Sequence, residues 1–243
     1  MGRRYRNPPL LEAVCEFRLT QDTYWDLTIP GLFYERVKDE FGRREQRVVQ
    51  ELELAQETQS VEQRVRTSER ALFFTEDRRM IIQLGPRLLV INALRPYPSW
   101  EAFKRRIDMA WKILQEVVEV TGLDRIGLRY INEIQIPDQP ADLHKYLAFY
   151  PFVGQSLPQR MVSFIAGAVF PYADDRDRCR VQVTPAGGDR SAVILDIDYF
   201  LARSRAVSPA DASEWVEQAH GEVEAVFEGC VTERLRSQFD EVC

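Results

Sequence analysis

Between Arg47 and Leu94 the chain carries five short segments of strand character: Arg47–Leu54, Val61–Arg66, Ala71–Thr75, Met80–Leu84 and Leu88–Leu94. Glu76-Asp77-Arg78-Arg79 and Gly85-Pro86 punctuate the run. Short strands joined by tight turns predict an antiparallel meander. The next element is of the kind that covers such a sheet. Ser99 is placed to cap a long helix, and Phe103, Ile107, Trp111, Leu114 and Val118 form its apolar stripe up to a stop at Gly122.

The elements around this core repeat in kind. Residues 1–12 read as an extended arm, since Asn7-Pro8-Pro9 cannot lie inside a helix. Ala13–Leu19 alternates as a strand, with Cys15, Phe17 and Leu19 on one face and Glu16 and Arg18 on the other. Pro30-Gly31 opens a helix that runs to about Phe41 and stops at Gly42. After Gly122 a strand spans Arg125–Ile136, with Ile126, Leu128, Tyr130, Asn132, Ile134 and Ile136 on one face and Arg125, Arg129 and Glu133 on the other. A short helix over Asp142–Phe149 follows, then strands at Met161–Phe170, Arg178–Thr184 and Ala192–Phe200, the last two joined through Ala186-Gly187-Gly188-Asp189. The final helix is expected from Ser208-Pro209, with Trp215, Ala219, Val223, Val226, Phe227 and Cys230 buried, and with Gly221 and Gly229 bending it or admitting another backbone.

Both halves, residues 13–122 and 123–243, therefore read strand, helix, meander, long helix within one compact domain. The fold class is α+β: a duplicated unit forming a curved antiparallel sheet with the long helices on one face. The order of elements resembles TATA-box-binding-protein-like and helix-grip folds, a likeness of fold that carries no function.

Composition narrows the function. The formal net charge of −6 and pI near 5.2 argue against a dedicated nucleic-acid binder. No stretch is apolar enough for a membrane helix, and Asn7-Pro8-Pro9 stands where a signal peptide would carry its apolar run, which predicts a cytoplasmic protein. Cys15, Cys179, Cys230 and Cys243 are scattered, without the paired spacing of a zinc site. Three buried or half-buried thiols and one at a loose C-terminus are expected, with no metal and no cofactor.

Catalytic candidates are few. His144 and His220 are the only histidines, and each reads as structural more readily than as a general base. No G-x-S-x-G motif and no cysteine-protease pattern occurs. Asp196 and Asp198 share a strand face and could grip a divalent cation, but Arg178 and Arg180 on the neighbouring strand favour cross-strand ion pairs. Ala186-Gly187-Gly188-Asp189 reads as a hairpin turn, since no helix follows it as in a phosphate loop. Asn132, among apolar neighbours, is expected to tie down a backbone segment, with the N-terminal arm the first candidate; the alternative is a ligand-facing role. Arg3, Arg4, Tyr5 and Arg6 read as a solvated tail, or else as weak contacts to nucleic acid.

The run Tyr5-Arg6-Asn7-Pro8-Pro9-Leu10-Leu11-Glu12-Ala13-Val14-Cys15-Glu16-Phe17 carries a family resemblance, joined by Trp25-Asp26 and Thr28-Ile29-Pro30-Gly31. Arg125-Ile126-Gly127-Leu128-Arg129-Tyr130-Ile131-Asn132 and the C-terminal Ala219-His220, Phe227-Glu228 and Val231-Thr232-Glu233-Arg234-Leu235 extend it over nearly the whole chain. Together they resemble a sporadically distributed, uncharacterised prokaryotic family. The resemblance implies no activity. It implies a setting among mobile defence genes, such as the accessory proteins of CRISPR type III operons with an RNA-guided protease. Its motif residues Tyr5, Asn7, Pro8, Pro9, Glu12, Trp25, Arg129, Tyr130 and Asn132 are the candidate interaction residues.

Three readings follow. The first is a non-catalytic protein-binding adaptor with an apolar patch, whose partner is encoded nearby, and with homodimers possible through a free strand edge. The second is a metal-dependent nuclease or phosphohydrolase on Asp196 and Asp198, with a third carboxylate such as Glu133. The third is a small-ligand sensor with an apolar pocket of roughly 300 Å³ or more between helix and sheet.

Overall fold

The computed structural model describes residues 3, 5–57, 60–137, 142–158, 161, 163–187 and 191–241, with side chains described outside 49–68. The chain is α+β. Its strands are β1 (Leu10–Leu19), β2 (Arg43–Glu57), β3 (Ser60–Phe74), β4 (Met80–Gly85), β5 (Leu88–Leu94), β6 (Leu123–Gln135), β7 (Ala166–Tyr172), β8 (Asp177–Pro185) and β9 (Ala192–Leu201). They form one open antiparallel sheet in the order β2-β3-β4-β5-β1-β6-β9-β8-β7. The helices are α1 (Ile29–Val37), α2 (Trp100–Val117), α3 (Ala212–Cys230) and the single turn α4 (Glu233–Arg236).

The strand order follows from which segments bury both neighbours. β1 and β6 pair with each other at the centre, and the last strand of each meander, β5 or β9, returns to flank them. On β1 the alternation holds: Ala13, Cys15, Phe17 and Leu19 are buried, while Val14, Glu16 and Arg18 are half-buried on the other face. The helices lie on the Phe17 face. Phe17 stacks on Trp111 of α2 at 4.5 Å, Phe73 on Phe33 of α1 at 6.0 Å, and Tyr199 of β9 packs against Trp215 of α3 at 5.7 Å. One buried cluster runs through all of these residues. The long helix α2 starts as expected, with the Ser99 hydroxyl accepting from the Ala102 N–H at 3.1 Å.

Several boundaries differ from the sequence reading. Val61–Arg66 and Ala71–Thr75 belong to a single strand, β3, because no glycine or proline breaks the segment between them and the ladder to β2 continues through Arg70 opposite Arg47. Helix α1 ends at Val37, and α2 ends at Val117, where Val118 turns extended. The helix expected over Asp142–Phe149 shrinks to a 3-10 turn at Leu143–Lys145, since Leu147 leaves that path to bridge Val231. β7 starts at Ala166, not Met161. The last helix starts one turn late: Ser208 bonds Asp211 at 2.7 Å, closing a turn ahead of Ala212. Added Cβ atoms at Gly221 and Gly229 would meet nothing within 4 Å, so neither marks a close backbone approach. The turn expected at Ala186–Asp189 lies partly outside the described residues, as does Cys243.

The terminal segments hold each other. The Arg6 and Asn7 N–H groups donate to Asp240 and Phe239 carbonyls at 2.9 and 3.1 Å. Tyr5 packs edge-on to Phe239 at 5.4 Å and donates to Glu228 at 2.7 Å, and Arg3 forks onto Glu233 at 3.0 and 3.1 Å. The described part of this segment is therefore docked on the C-terminal region, not a solvated tail. No helix among the described residues is long and apolar enough to cross a membrane.

Phe17 is fully buried at the sheet–helix junction. Phe17→Ala is expected to cost about 3–5 kcal/mol, seen as a lowered midpoint in urea unfolding.

Candidate functional site on the open face of the sheet

With the helices on one face, the other face must be finished by side chains alone. The register sets which ones meet. Val14 faces Arg129, which opposes Asp198, then Arg180, then Val169. In the adjacent row Glu16 faces Gly127, then Phe200, Arg178 and Pro171. The motif strand at Arg125–Asn132 thus lies at the middle of the sheet, its odd-numbered residues on the open face and its even-numbered ones in the core.

The centre of this face is a bonded lattice of guanidinium and carboxylate groups. Arg129 forks onto Asp196 at 2.7 and 2.6 Å. Arg125 reaches both ways, to Asp198 at 2.9 and 3.0 Å and to Glu16 at 3.1 Å, while its guanidinium sits 4.7 Å from the Phe200 ring. Arg18 forks onto Glu16 at 2.7 and 3.2 Å, and Arg180 gives Asp198 a further contact at 3.2 Å. Gly127 makes this possible: a Cβ there would lie 2.2 Å from Arg125 Nη1. The side chain of Arg125 occupies the space that a larger residue would fill.

The expected ion pairs of Asp196 and Asp198 are present but are made mainly with another strand. Arg125 and Arg129 of β6 are the principal partners, Arg180 is a lesser one, and Arg178 lies opposite Phe200 instead. Sequence spacing identified the right strand pair on one side of β9 and missed the longer reach from the other. Glu133 does not join the aspartates; it pairs with Arg95 at 3.0 Å. Asp196 is forked by Arg129, and Asp198 takes one nitrogen each from Arg125 and Arg180, so both carboxylates are already neutralised by guanidinium groups. Among the described residues no group of His, Cys, Asp and Glu has a metal-binding arrangement.

The lattice sets the charge state of Glu16. Burial alone would raise its pKa, but Arg125 and Arg18 outweigh burial and hold it below the ordinary carboxylate value. Arg129 is raised, first by its hydrogen bonds to Asp196. Cys15 is pushed well up by burial, Cys179 to about 12 and Cys230 to about 11, so these thiols are held protonated and are poor nucleophiles.

The face is hollow. A groove of about 1980 Å³ is lined from Arg44, Gln46 and Glu69 at one end of the sheet to Val169, Arg178 and Arg180 at the other, with Trp25 and Leu27 on its lip. Its lining mixes charged side chains with apolar ones such as Val14, Trp25, Leu27, Val169 and Phe200. The concavity between α3 and the sheet is smaller, about 230 Å³, and holds the buried Asp177 with Tyr199 and Trp215. The larger cavity is therefore on the side that a helix-grip sensor would leave unused.

The candidate residues divide among three places. Glu12, Trp25 and Arg129 belong to the open face; Glu12 ends a chain of bonds in which Gln83 donates to Asn92 at 2.9 Å and Asn92 to Glu12 at 2.7 Å. Tyr130 and Asn132 lie on the helix side. The Tyr130 hydroxyl meets His220 Nδ1 at 2.9 Å, and His220 stacks on Trp100 at 3.9 Å, a link between α2 and α3. Asn132 donates to the Leu195 carbonyl at 3.3 Å; it ties β9, not the N-terminal arm. The arm is held instead by backbone, Glu133 N–H donating to Pro9 at 2.9 Å. Tyr5 and Asn7 clasp the C-terminal segment, the latter through Asp240 at 3.0 Å, and Pro8 is exposed. His144 is exposed beside Asp142 at 3.5 Å. Arg125, Gly127, Asp198 and Phe200 complete the site and were not singled out together by the sequence; their shared face and register are the signal that finds them. No protein-family model matches the chain, and no curated protein sequence does.

Gly127→Ala is expected to displace Arg125 and cost about 1–2 kcal/mol, whereas in an Arg125→Ala background it costs nothing. A double-mutant cycle in urea reads the difference. The Glu16 shift also fixes a pH dependence. A depressed carboxylate stabilises the fold above its unfolded value and loses that effect as pH falls. The unfolding midpoint should therefore drop between about pH 5 and pH 3, and less steeply in Arg125→Ala.

Proposed function

We propose that this protein is a non-catalytic binding protein, an adaptor that seats a protein partner in the groove on the open face of its sheet. The observation that carries this reading is the one-sided construction: α1, α2 and α3 cover one face, and the other keeps a large groove floored by an ordered arginine–carboxylate lattice. A floor of shared ion pairs, two of them bidentate, is held in place before any partner arrives, which lowers the ordering cost of binding. The lattice also speaks against the hydrolase reading, because it engages Asp196 and Asp198.

The finer architectural proposal is that the two halves are duplicates, each a central strand with a meander returning to it and a long helix following, in the manner of TATA-box-binding-protein-like folds. The same proposal places the protein in the cytoplasm, in a prokaryotic antiviral or CRISPR-associated setting where a neighbouring gene encodes the partner.

Affinity purification of the tagged protein from its host, with mass spectrometry, tests the reading. The expected result is one stoichiometric protein whose complex protects Trp25, Leu27 and Val169 from hydroxyl radicals. A protein that elutes alone, or a partner whose footprint falls on the helices, would overturn it.

A further inference from the structure

We infer that the segment received by the groove is acidic and extended, and that Arg178 and Arg180 on β8 receive its carboxylates. This rests on the reading of the groove as a partner surface and specifies the chemistry of the partner.

The charges on the groove do not balance. Eight arginines line it against six carboxylates; with Asp196, which Arg129 forks, the excess is one positive charge on a chain whose formal net charge is −6. The imbalance is concentrated where the sheet approaches β8. Glu16 is shared by Arg18 and Arg125, and Asp198 is shared by Arg125 and Arg180. Arg178 is exposed, lines the groove and has no hydrogen-bond or ion-pair partner among the described residues. Arg180 spends only Nη2 on Asp198, which leaves Nη1 to receive a ligand, while its Nε is buried out of a ligand's reach. Donor capacity is thus left over, while the nearby carboxylates are engaged. That asymmetry selects an anionic ligand over a cationic one.

Spacing and neighbours select the form of the anion. Arg178 and Arg180 are two apart on one strand, so they stand about 6.6 Å apart on one face. Acidic side chains at alternate positions of an extended peptide repeat at the same interval, so Arg178 can fork onto one carboxylate while Arg180 gives Nη1 to the next. Phe200 beside Arg178 and Val169 beside Arg180 add apolar contact for the stems of those side chains. A nucleic acid is a poorer fit. Neutralising only about two phosphates falls well short of the 6–10 contacts of a typical binder. The acidic residues elsewhere do not prevent docking, because charges beyond about 10 Å are largely screened at 0.1 M salt.

The test is fluorescence anisotropy on the full chain with three labelled probes: a peptide alternating glutamate and serine, its glutamine–serine isostere, and oligothymidylate. The glutamate peptide should bind the wild type. It should bind about tenfold or more weakly to Arg178→Glu/Arg180→Glu, equivalent to at least one charge-assisted contact. Its affinity should also fall as salt rises from about 0.05 to 0.3 M. Circular dichroism and the urea midpoint check that the variant is folded. Equal binding of the isostere, indifference to the charge reversal, or no peptide binding at all would overturn the inference. The footprinted partner described above would then still stand or fall by its own result. Preferential binding of oligothymidylate that is lost in the variant would overturn both.

Discussion

Helices can finish only one face of this sheet, and everything on the other face has to be stabilised by what its own side chains do for one another. On the covered side the solution is ordinary packing: Phe17 on Trp111, Phe33 on Phe73, Trp215 on Tyr199. On the open side the central strands carry Glu16, Arg125, Arg129, Asp196 and Asp198, and these satisfy each other in pairs and triplets. A half-buried charge is tolerable when it is forked and shared, and costly when its partner is removed. The lattice is therefore a condition for leaving the face uncovered, and the uncovered face is what gives the protein a groove.

Arg125 is the joint of that lattice. It touches β1 through Glu16, β9 through Asp198, and the Phe200 ring below. Its position depends on a missing side chain at Gly127, in the strand where the two halves of the sheet meet. A glycine within a strand normally weakens it. Here the loss is offset by the contacts that the folded-back arginine gains.

The two halves are also fastened away from the groove. Tyr130, His220 and Trp100 connect β6, α3 and α2, while Tyr5, Asn7 and Arg3 bind the start of the chain to its end. Several motif residues that looked like interaction candidates therefore have structural work on the helix side and at the termini. In the proposed reading the partner surface is left to residues with leftover capacity, chiefly those of β8, and to the lip at Trp25 and Leu27.

Alternation in β1 and β6, the apolar stripe of α2 and the Ser99 cap were legible in the sequence because each depends on a local period or on a residue's own hydrogen-bonding habit. The face of Arg125 and Arg129 was legible for the same reason, as was the tendency of Asp196 and Asp198 to seek arginines. What only the tertiary structure decided was which arginines they would find, that Asn132 would hold β9, and that the larger cavity would open away from the helices. Those outcomes depend on strand order. A period of two assigns a residue to a face, but only pairing β6 beside β9 brings side chains more than sixty positions apart within a hydrogen bond of each other.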